Sequence, residues 1–270
     1  MIGTAANRRL KLESVDNIIQ TNVDGDIVKE TSIENLLGVV VNNIGTWYNH
    51  LHGYNDGKKD KPGLIKQLSK RVGVLATIRR YMPPDRFTMV SNALFNSKLV
   101  YGISLWGGVW KLPGVLDMER RSSPTITKDD CNKLQILQNK VLRLRTGLHR
   151  DTAVATLLSR GRQLSVQQLA AYHSVLQVYK TCQTKQPEYL YHRLFPNDNI
   201  IDEETRITRS IRNMDIRVEN NLSLARSAFC YKASKLWNSM PSVIKTTCHL
   251  NSFKRKAKQW IRDNIEISPN

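Results

Sequence analysis

The fold class of this chain is decided by residues 64–84, which have the sequence LIKQLSKRVGVLATIRRYMPP. Ile65, Leu68, Val72, Leu75 and Ile78 follow one another at intervals of three or four residues, the spacing that places apolar side chains on one face of an α-helix. The prolines at positions 83 and 84 end this helix, because proline lacks a backbone N–H and constrains the residue before it. The stretch therefore predicts a helical body.

The same periodicity continues through the rest of the chain. A second helix is expected from Asp85 to Trp106-Gly107-Gly108, with an inward face made of Phe87, Val90, Leu94 and Tyr101. A third helix is expected to start at Thr127 or Asp129 and to bury Leu134, Leu137, Val141 and Leu144. Further helices are expected over Leu164–Thr181, Pro187–Phe195, Ser223–Met240 and Ser252–Ile265. Residues 111–127 contain two prolines and several serines and threonines, a composition typical of a loop.

The first 55 residues have a different pattern, which indicates β-structure. Asn17–Val23 and Ile27–Thr31 are short β-leaning runs around Asp24-Gly25, a dipeptide that favours a tight hairpin turn. Asn35–Val41 (NLLGVVV) is apolar and suits one buried strand, whereas Tyr54–Pro62 is polar and suits a linker. The sequence thus predicts an α+β fold that is mainly α, divided into residues 1–55, 62–110, a loop at 111–127, and 128–270.

The charge of the chain is unevenly distributed. The whole sequence has a formal charge of +18, yet residues 1–60 contain six basic and eight acidic residues. The positive field therefore belongs to the helical part, and an excess of this size usually indicates a polyanionic partner. No apolar run approaches the roughly 20 residues that span a bilayer, and the first residues do not resemble a signal peptide. An intracellular protein, nuclear or cytoplasmic, without a membrane partner is expected.

Basic residues near aromatic and apolar ones form several candidate nucleic-acid contacts. Lys66, Lys70 and Arg80 lie off the apolar stripe of the first helix, and Arg143 and Arg145 close the third. In FKRKAKQWIRDNI, Lys254, Lys258 and Arg262 recur at every fourth position and form one helix face, with Arg255 and Lys256 between them. The apolar residues of this stretch can pack on the other side of the helix; they are Phe253, Ala257, Trp260 and Ile261. Arg206, Arg209 and Arg212 recur at every third position. Any one of these clusters could be an ordinary solvated helix face; together they favour binding to a nucleic-acid backbone.

Catalytic and metal-binding patterns are harder to find. Two-metal nucleotidyl transfer needs paired carboxylates, but Asp24 and Asp26 suit a turn, Asp129-Asp130 suit a helix start, and Asp202-Glu203-Glu204 suit a solvated face. His50 and His52 could share one side of a strand, without an evident third ligand. The four cysteines form no C-x-x-C pair, so reduced thiols are expected and a zinc site remains the alternative. No catalytic residue, metal ligand or small-molecule substrate is predicted.

Several stretches together resemble one protein family. Residues 18–53, IIQTNVDGDIVKETSIENLLGVVVNNIGTWYNHLHG, resemble the segment after the catalytic motifs in reverse transcriptases of non-LTR retrotransposons of the jockey-like or CR1-like kind. The marks are Leu37-Gly38-Val39, Trp47 and His50. Residues 64–108 resemble the family's thumb, with Lys70, Leu75, Arg79, Pro83, Ser97, Tyr101-Gly102 and Trp106-Gly107 as marks. LQILQNKVLRLRTG, YKASKLWNSMPSVIK and FKRKAKQWI are similar to its later helices.

The resemblance implies a truncated piece of an RNA-directed DNA polymerase. It would comprise a palm remnant with a primer-grip-like hairpin at 1–55, thumb-like helices at 62–110 and a C-terminal helical region at 128–270. The catalytic aspartates, and with them the Mg²⁺ of the parent enzyme, would precede Met1, so this chain alone is expected to be inactive and to hold no cofactor. Its partners would be RNA and DNA, as a template–primer duplex.

The residues expected to contact nucleic acid combine the basic clusters with the family marks. They are Gly38, Lys66, Lys70, Arg79, Arg80, Arg143, Arg145, Lys254, Arg255, Lys256 and Lys258; at Gly38 the missing side chain would permit close approach. Two alternatives stay open. The chain could be a basic helical adaptor for an acidic protein, or an enzyme whose site gathers residues distant in sequence.

Overall fold

The structure is a computed structural model that describes residues 20–23, 26–29, 31–43, 45–55, 57, 59–107, 126–195, 215–216 and 229–265. Its contacts divide the chain into two compact units, residues 1–67 and 68–270. The fold is α+β and mainly α, as predicted. Among the described residues, none of the helices has the length and apolar character needed to cross a bilayer.

The described residues of the first unit form three antiparallel hairpins. Strand β1 (Gln20–Val23) pairs with β2 (Asp26–Lys29), β3 (Ile33–Leu36) with β4 (Val39–Asn42), and β5 (Gly53–Asn55) with β6 (Asp60–Pro62). Helix α1 (Tyr48–His52) lies between β4 and β5. Val23 opposes Asp26 in the β1–β2 register, so the hairpin predicted there is confirmed, although Asp24 and Gly25 lie outside the described residues.

The single buried strand predicted over Asn35–Val41 is wrong, because the chain reverses within it. Leu36 opposes Val39 in the register, and the two residues between them, Leu37 and Gly38, have φ values of 51° and 84°. Two consecutive positive φ angles define the tight turn whose twist matches a hairpin. Leu36 is 64% exposed and Leu37 84% exposed. The apolar run is therefore a hairpin with its tip in solvent.

Two other predictions for this unit are also wrong. The proposed linker Tyr54–Pro62 forms most of the β5–β6 hairpin, where the Asn55 Nδ2 amide donates to Asp60 Oδ1 at 2.8 Å. His50 and His52 lie on helix α1 instead of a strand, because the next strand begins only after them, at Gly53. Gly53 pairs with Pro62, and a Cβ at Gly53 would lie 2.3 Å from the Lys61 carbonyl oxygen, so the close approach of these two strands requires a glycine.

The remaining elements are helical. Helix α2 (Leu64–Ile78) contains the boundary between the units and is followed by a 3₁₀ turn at Arg79–Tyr81. The others are α3 (Pro84–Ser91), a π-helical segment (Asn92–Asn96), α4 (Ser97–Val100), α5 (Ile103–Trp106), α6 (Lys128–Thr146), α7 (Val154–Arg160), α8 (Val166–Thr184), α9 (Glu188–Leu194), α10 (Phe229–Ser239), α11 (Ser242–Lys245) and α12 (Leu250–Asn264).

Most helix predictions for the second unit are confirmed, and two of the helices described in that unit were not expected. The stripe on α2 is buried at Leu68, Val72 and Leu75, as predicted. Helix α6 begins after Thr127 and buries Leu134, Leu137 and Val141. Helices α7 and α11 lie in stretches for which no helix was predicted. The predicted helix over Ser223–Met240 is described only from Phe229, and the predicted loop is described only at Ile126 and Thr127.

The inward face predicted after Asp85 is partly wrong. Phe87 is buried, but Leu94 is 36% exposed and Tyr101 48% exposed; Ser91, Phe95 and Leu99 are buried instead. The π-helical segment is the cause, because its wider turn keeps residues four apart on one face. Phe87, Ser91, Phe95 and Leu99 follow that spacing, whereas the prediction assumed an unbroken α-helix.

Helices α6 and α8 are joined by a buried network of side-chain amides. The Gln135 Nε2 amide donates to Gln138 Oε1 and to Asn139 Oδ1, both at 2.9 Å. Gln138 Nε2 donates to the Leu164 carbonyl at 2.9 Å, and Gln135 Oε1 accepts from the Val166 N–H at 2.9 Å. Buried polar groups are costly unless hydrogen-bonded, and this network supplies the partners across the two helices.

The core of the second unit extends from α8 to α10 and α12. Tyr179 stacks on Phe253 with ring centroids 3.8 Å apart, and Trp237 lies 6.2 Å from the same phenylalanine. A buried ion pair adjoins this core: the Lys245 ammonium donates to Asp215 Oδ1 at 2.7 Å, and the Lys side chain is 1% exposed. The Asn238 amide exchanges hydrogen bonds with the backbone of Ile216 at 2.8 and 2.7 Å.

Candidate nucleic-acid interface

The 3₁₀ turn after α2 is fixed to the end of α6 by one arginine. Arg79 Nε donates to the Leu144 carbonyl at 2.7 Å, Nη1 donates to the Met82 carbonyl at 3.3 Å, and the guanidinium lies 5.3 Å from the centre of the Phe87 ring. Arg79, predicted as a phosphate contact, thus holds together two segments that are 65 residues apart. The predicted residues Arg80, Arg143 and Arg145 are brought to one region by this contact.

The last turn of α6 carries the predicted residues Arg143 and Arg145. The helix ends at Gly147, whose φ is 69°, and the negative end of the helix dipole favours cations at this position. Arg143 Nη2 donates to the Arg150 carbonyl at 2.9 Å. Within the described part of the chain, Arg143 Nε and Arg145 Nη1 are buried without an acceptor. Burial also lowers the pKa of the Arg145 guanidinium, so an acceptor anion would stabilise its charged form.

The segment from Arg150 to Arg162 connects this region with α12. It contains α7, which at seven residues is about 10 Å long. At its start the Arg150 carbonyl accepts from Arg143, and at its end the Arg162 carbonyl accepts from Lys258 Nζ at 3.3 Å. Its three arginines, Arg150, Arg160 and Arg162, are exposed. Two predicted basic clusters, one on α6 and one on α12, are therefore linked by a third that was not predicted.

Helix α12 has the two faces expected from its sequence. Phe253, Ala257 and Ile261 are buried in the core. Arg255, Lys256 and Arg262 are exposed, and Lys254 and Lys258 are half-buried. Burial, and then the neighbouring Arg262, lower the pKa of Lys258; a nearby anion would raise it again.

We call residues 79–85, 143–162 and 254–262 the basic band, since the contacts just described join these three segments. They contain twelve lysines and arginines and only two acidic residues, Asp85 and Asp151. Asp151 pairs with His149 at 3.2 Å. The band thus concentrates positive charge over segments that adjoin one another in the fold, the arrangement that neutralises a row of phosphates.

The other predicted contact residues lie elsewhere. Gly38 occupies the exposed β3–β4 turn of the first unit. Lys66 and Lys70 are exposed on α2, away from its buried stripe. Within the band, Lys256 also donates to Thr247 Oγ1 at 3.2 Å. Arg206, Arg209 and Arg212 lie outside the described residues. The sequence analysis missed three arginines of the band, Arg150, Arg160 and Arg162, because no periodic spacing relates them. The available signal was the pair of nearby glycines, Gly147 and Gly161, which mark helix ends.

The other candidate catalytic or metal-binding side chains have structural explanations where the structure describes them. Asp129 and Asp130 lie in the first turn of α6, as predicted, and Thr127 Oγ1 accepts from the Asp130 N–H at 3.1 Å. Burial raises the pKa of the Cys131 thiol to about 11. Within the described ranges, no three His, Cys, Asp or Glu side chains are grouped to hold a metal ion. Residues 202–204 lie outside those ranges, as does the side chain of Asp26.

Comparison of the chain with protein-family models, with curated proteins and with solved structures found no match.

Proposed function

We propose that this protein binds nucleic acid through the basic band, by contacts to the phosphate backbone. The observation that supports this most is the position of residues 150–162, which contact the end of α6 on one side and α12 on the other. Their exposed arginines make one surface out of clusters that are far apart in sequence.

We further propose that the chain is the C-terminal part of a non-LTR retrotransposon reverse transcriptase, acting in the nucleus or cytoplasm on a template–primer duplex. The resemblance of residues 18–53 and 64–108 to that family supports this. Leu37-Gly38, one mark of the resemblance, forms the exposed turn of the β3–β4 hairpin, and we assign the primer-grip role to this hairpin as part of the proposal. Binding would then tolerate any sequence, because backbone contacts position a protein without reading bases. Nucleotide incorporation by this chain alone is not expected with primer–template and Mg²⁺.

A salt titration tests the binding proposal. Affinities are measured by fluorescence anisotropy with duplex DNA, an RNA–DNA hybrid and single-stranded probes at several salt concentrations. Each phosphate contact contributes about −0.9 to the slope of log K against log salt for duplex DNA, so five contacts would give roughly −4 to −5. Replacing Arg150, Arg160 and Arg162 with Ala should weaken binding to every sequence and reduce the slope by about 2 to 3.

Two further variants define the surface. Replacing Lys254, Arg255, Lys256 and Lys258 with Ala should have a similar effect, because these residues form the other end of the band. Replacing Lys128, Lys180 and Arg193, three exposed cations outside the band, removes as much charge as the first variant and should leave the slope nearly unchanged. Equal losses for band and control variants would contradict the proposed surface, and undetectable binding at low salt would contradict the function.

A basic helical adaptor for an acidic protein is the competing function. It predicts that polyglutamate displaces a labelled duplex as effectively as unlabelled duplex of equal charge does. Nucleic-acid binding predicts that the unlabelled duplex competes far better than polyglutamate.

A further inference from the structure

We infer that Tyr81 is a stacking site for an unpaired nucleobase, an inference that rests on the proposed nucleic-acid binding. Tyr81 is 72% exposed, and the Arg80 guanidinium lies 4.8 Å from the centre of its ring. If the second face of the ring were also covered, the residue could not be exposed to this degree. One face therefore carries a cation, and the other is open to a ligand.

The turn that carries Tyr81 is held in place before any ligand binds. Arg79 anchors it through the Leu144 and Met82 carbonyls and lies against the Phe87 ring. The Met82 N–H donates back to the Arg79 carbonyl at 3.4 Å, and Pro83, with φ of −59°, follows directly. A ring presented on so constrained a turn loses little freedom on binding, which favours affinity.

The surroundings of Tyr81 select a nucleobase among aromatic ligands. Arg80 lies on the turn itself, and the Arg79–Leu144 hydrogen bond brings the turn beside Arg143 and Arg145 at the end of α6. Asp85, in the first turn of α3, is the acidic residue of this part of the band. Cations next to an exposed ring suit a ligand that has a flat base and a phosphate on each side.

The stacked base must be unpaired. A base inside a duplex already has neighbours on both faces, so an aromatic side chain can stack only on a single strand or on a frayed end. Stacking uses the π-face common to all bases and is tolerant of sequence. The basic band would therefore hold the phosphates of either a duplex or a single strand, while Tyr81 would add affinity for the single strand alone.

The test compares an unstructured oligothymidine strand with a blunt duplex of equal length. Tyr81→Leu should weaken binding to the single strand by about five- to a hundredfold and weaken duplex binding far less. Its salt slope should match that of the wild type, since no charge is removed. Tyr81→Trp should bind the single strand at least as tightly as the wild type. Tyr189→Leu is the matched control, because Tyr189 is 75% exposed on α9, and it should behave as wild type.

A fluorescent base analogue, 2-aminopurine, placed in the oligothymidine strand gives a second readout. Its emission should be quenched by the wild type and by Tyr81→Trp, and less so by Tyr81→Leu. The inference is overturned if Tyr81→Leu binds the single strand as the wild type does, or loses duplex binding equally. In either case the arginine variants of the band would still test the proposed function separately. Failure of the wild type to bind both probes at low salt would overturn the two together.

Discussion

Replacing Asp215 with Ala should destabilise the second unit, because it leaves the Lys245 ammonium buried without its counter-ion. The Lys245 side chain is 1% exposed, and its other acceptor, the Asn238 carbonyl, lies 3.4 Å away, beyond a strong hydrogen bond. Removing one member of a buried ion pair typically costs 3–5 kcal/mol. Asp215 itself is 26% exposed, so water would partly replace it, and the expected loss in the free energy of unfolding is about 3 kcal/mol.

The variant Lys245→Met distinguishes the effect of the buried charge from the effect of lost side-chain packing. Methionine fills a similar volume without a charge, and replacing a buried pair by apolar side chains is often neutral or stabilising. We therefore expect a change of less than about 1 kcal/mol for the double variant Asp215→Ala with Lys245→Met. Lys245→Met alone should cost less than Asp215→Ala, because the carboxylate that it leaves unpaired is 26% exposed and keeps contact with water. Urea unfolding followed by far-UV circular dichroism measures all three. The reasoning is refuted if Asp215→Ala costs no more than Asp263→Ala, an exposed control on α12, or if the double variant is as unstable as Asp215→Ala.

Three other predictions concern single residues. Leu37→Asn should stabilise the first unit by about 1 kcal/mol, because Leu37 has a positive φ and is exposed; slower amide exchange in the β3–β4 hairpin would confirm it. Burial, and then the charge of Lys180, lower the pKa of His173. As the pH falls, the unfolded chain therefore binds a proton at His173 before the folded protein does. The free energy of unfolding should then fall as the pH drops below about 6.5, and it should fall less in His173→Gln. Cys248, which is exposed, should react with a thiol reagent in the native protein, whereas Cys131 should react only on unfolding, as mass mapping of the labelled sites would show.

The sequence predicted those elements whose signal is local. The stripe on α2 and the two faces of α12 are confirmed because three- and four-residue spacing is itself the geometry of a helix. The turn at Leu37-Gly38 was missed because a leucine seldom adopts a positive φ, so the apolar run was interpreted as one strand. The face of α3 and α4 was misassigned at Leu94 because the π-helical segment changes the spacing without a distinctive sequence.

The candidate interface could be predicted only in pieces. Lys258 and Arg143 were identified by their positions on helices, but which clusters adjoin depends on contacts such as Arg79–Leu144 and Lys258–Arg162, 65 and 96 residues apart. No local pattern encodes such distances. Arg150, Arg160 and Arg162 gain their importance from the path of the chain between α6 and α8.

The buried side-chain amides of α6 fix the axial position of that helix against α8. Gln135 and Gln138 find their partners at Val166 and Leu164 at only one axial offset between α6 and α8. Sliding α6 by one turn, about 5.4 Å, would orphan these groups at about 1–3 kcal/mol each. Arg143 and Arg145 lie on the same helix, so their position relative to α8 is set by two uncharged side chains, those of Gln135 and Gln138. Substitutions of Gln135 or Gln138 that remove these hydrogen bonds would therefore shift the two arginines, although neither arginine is itself replaced.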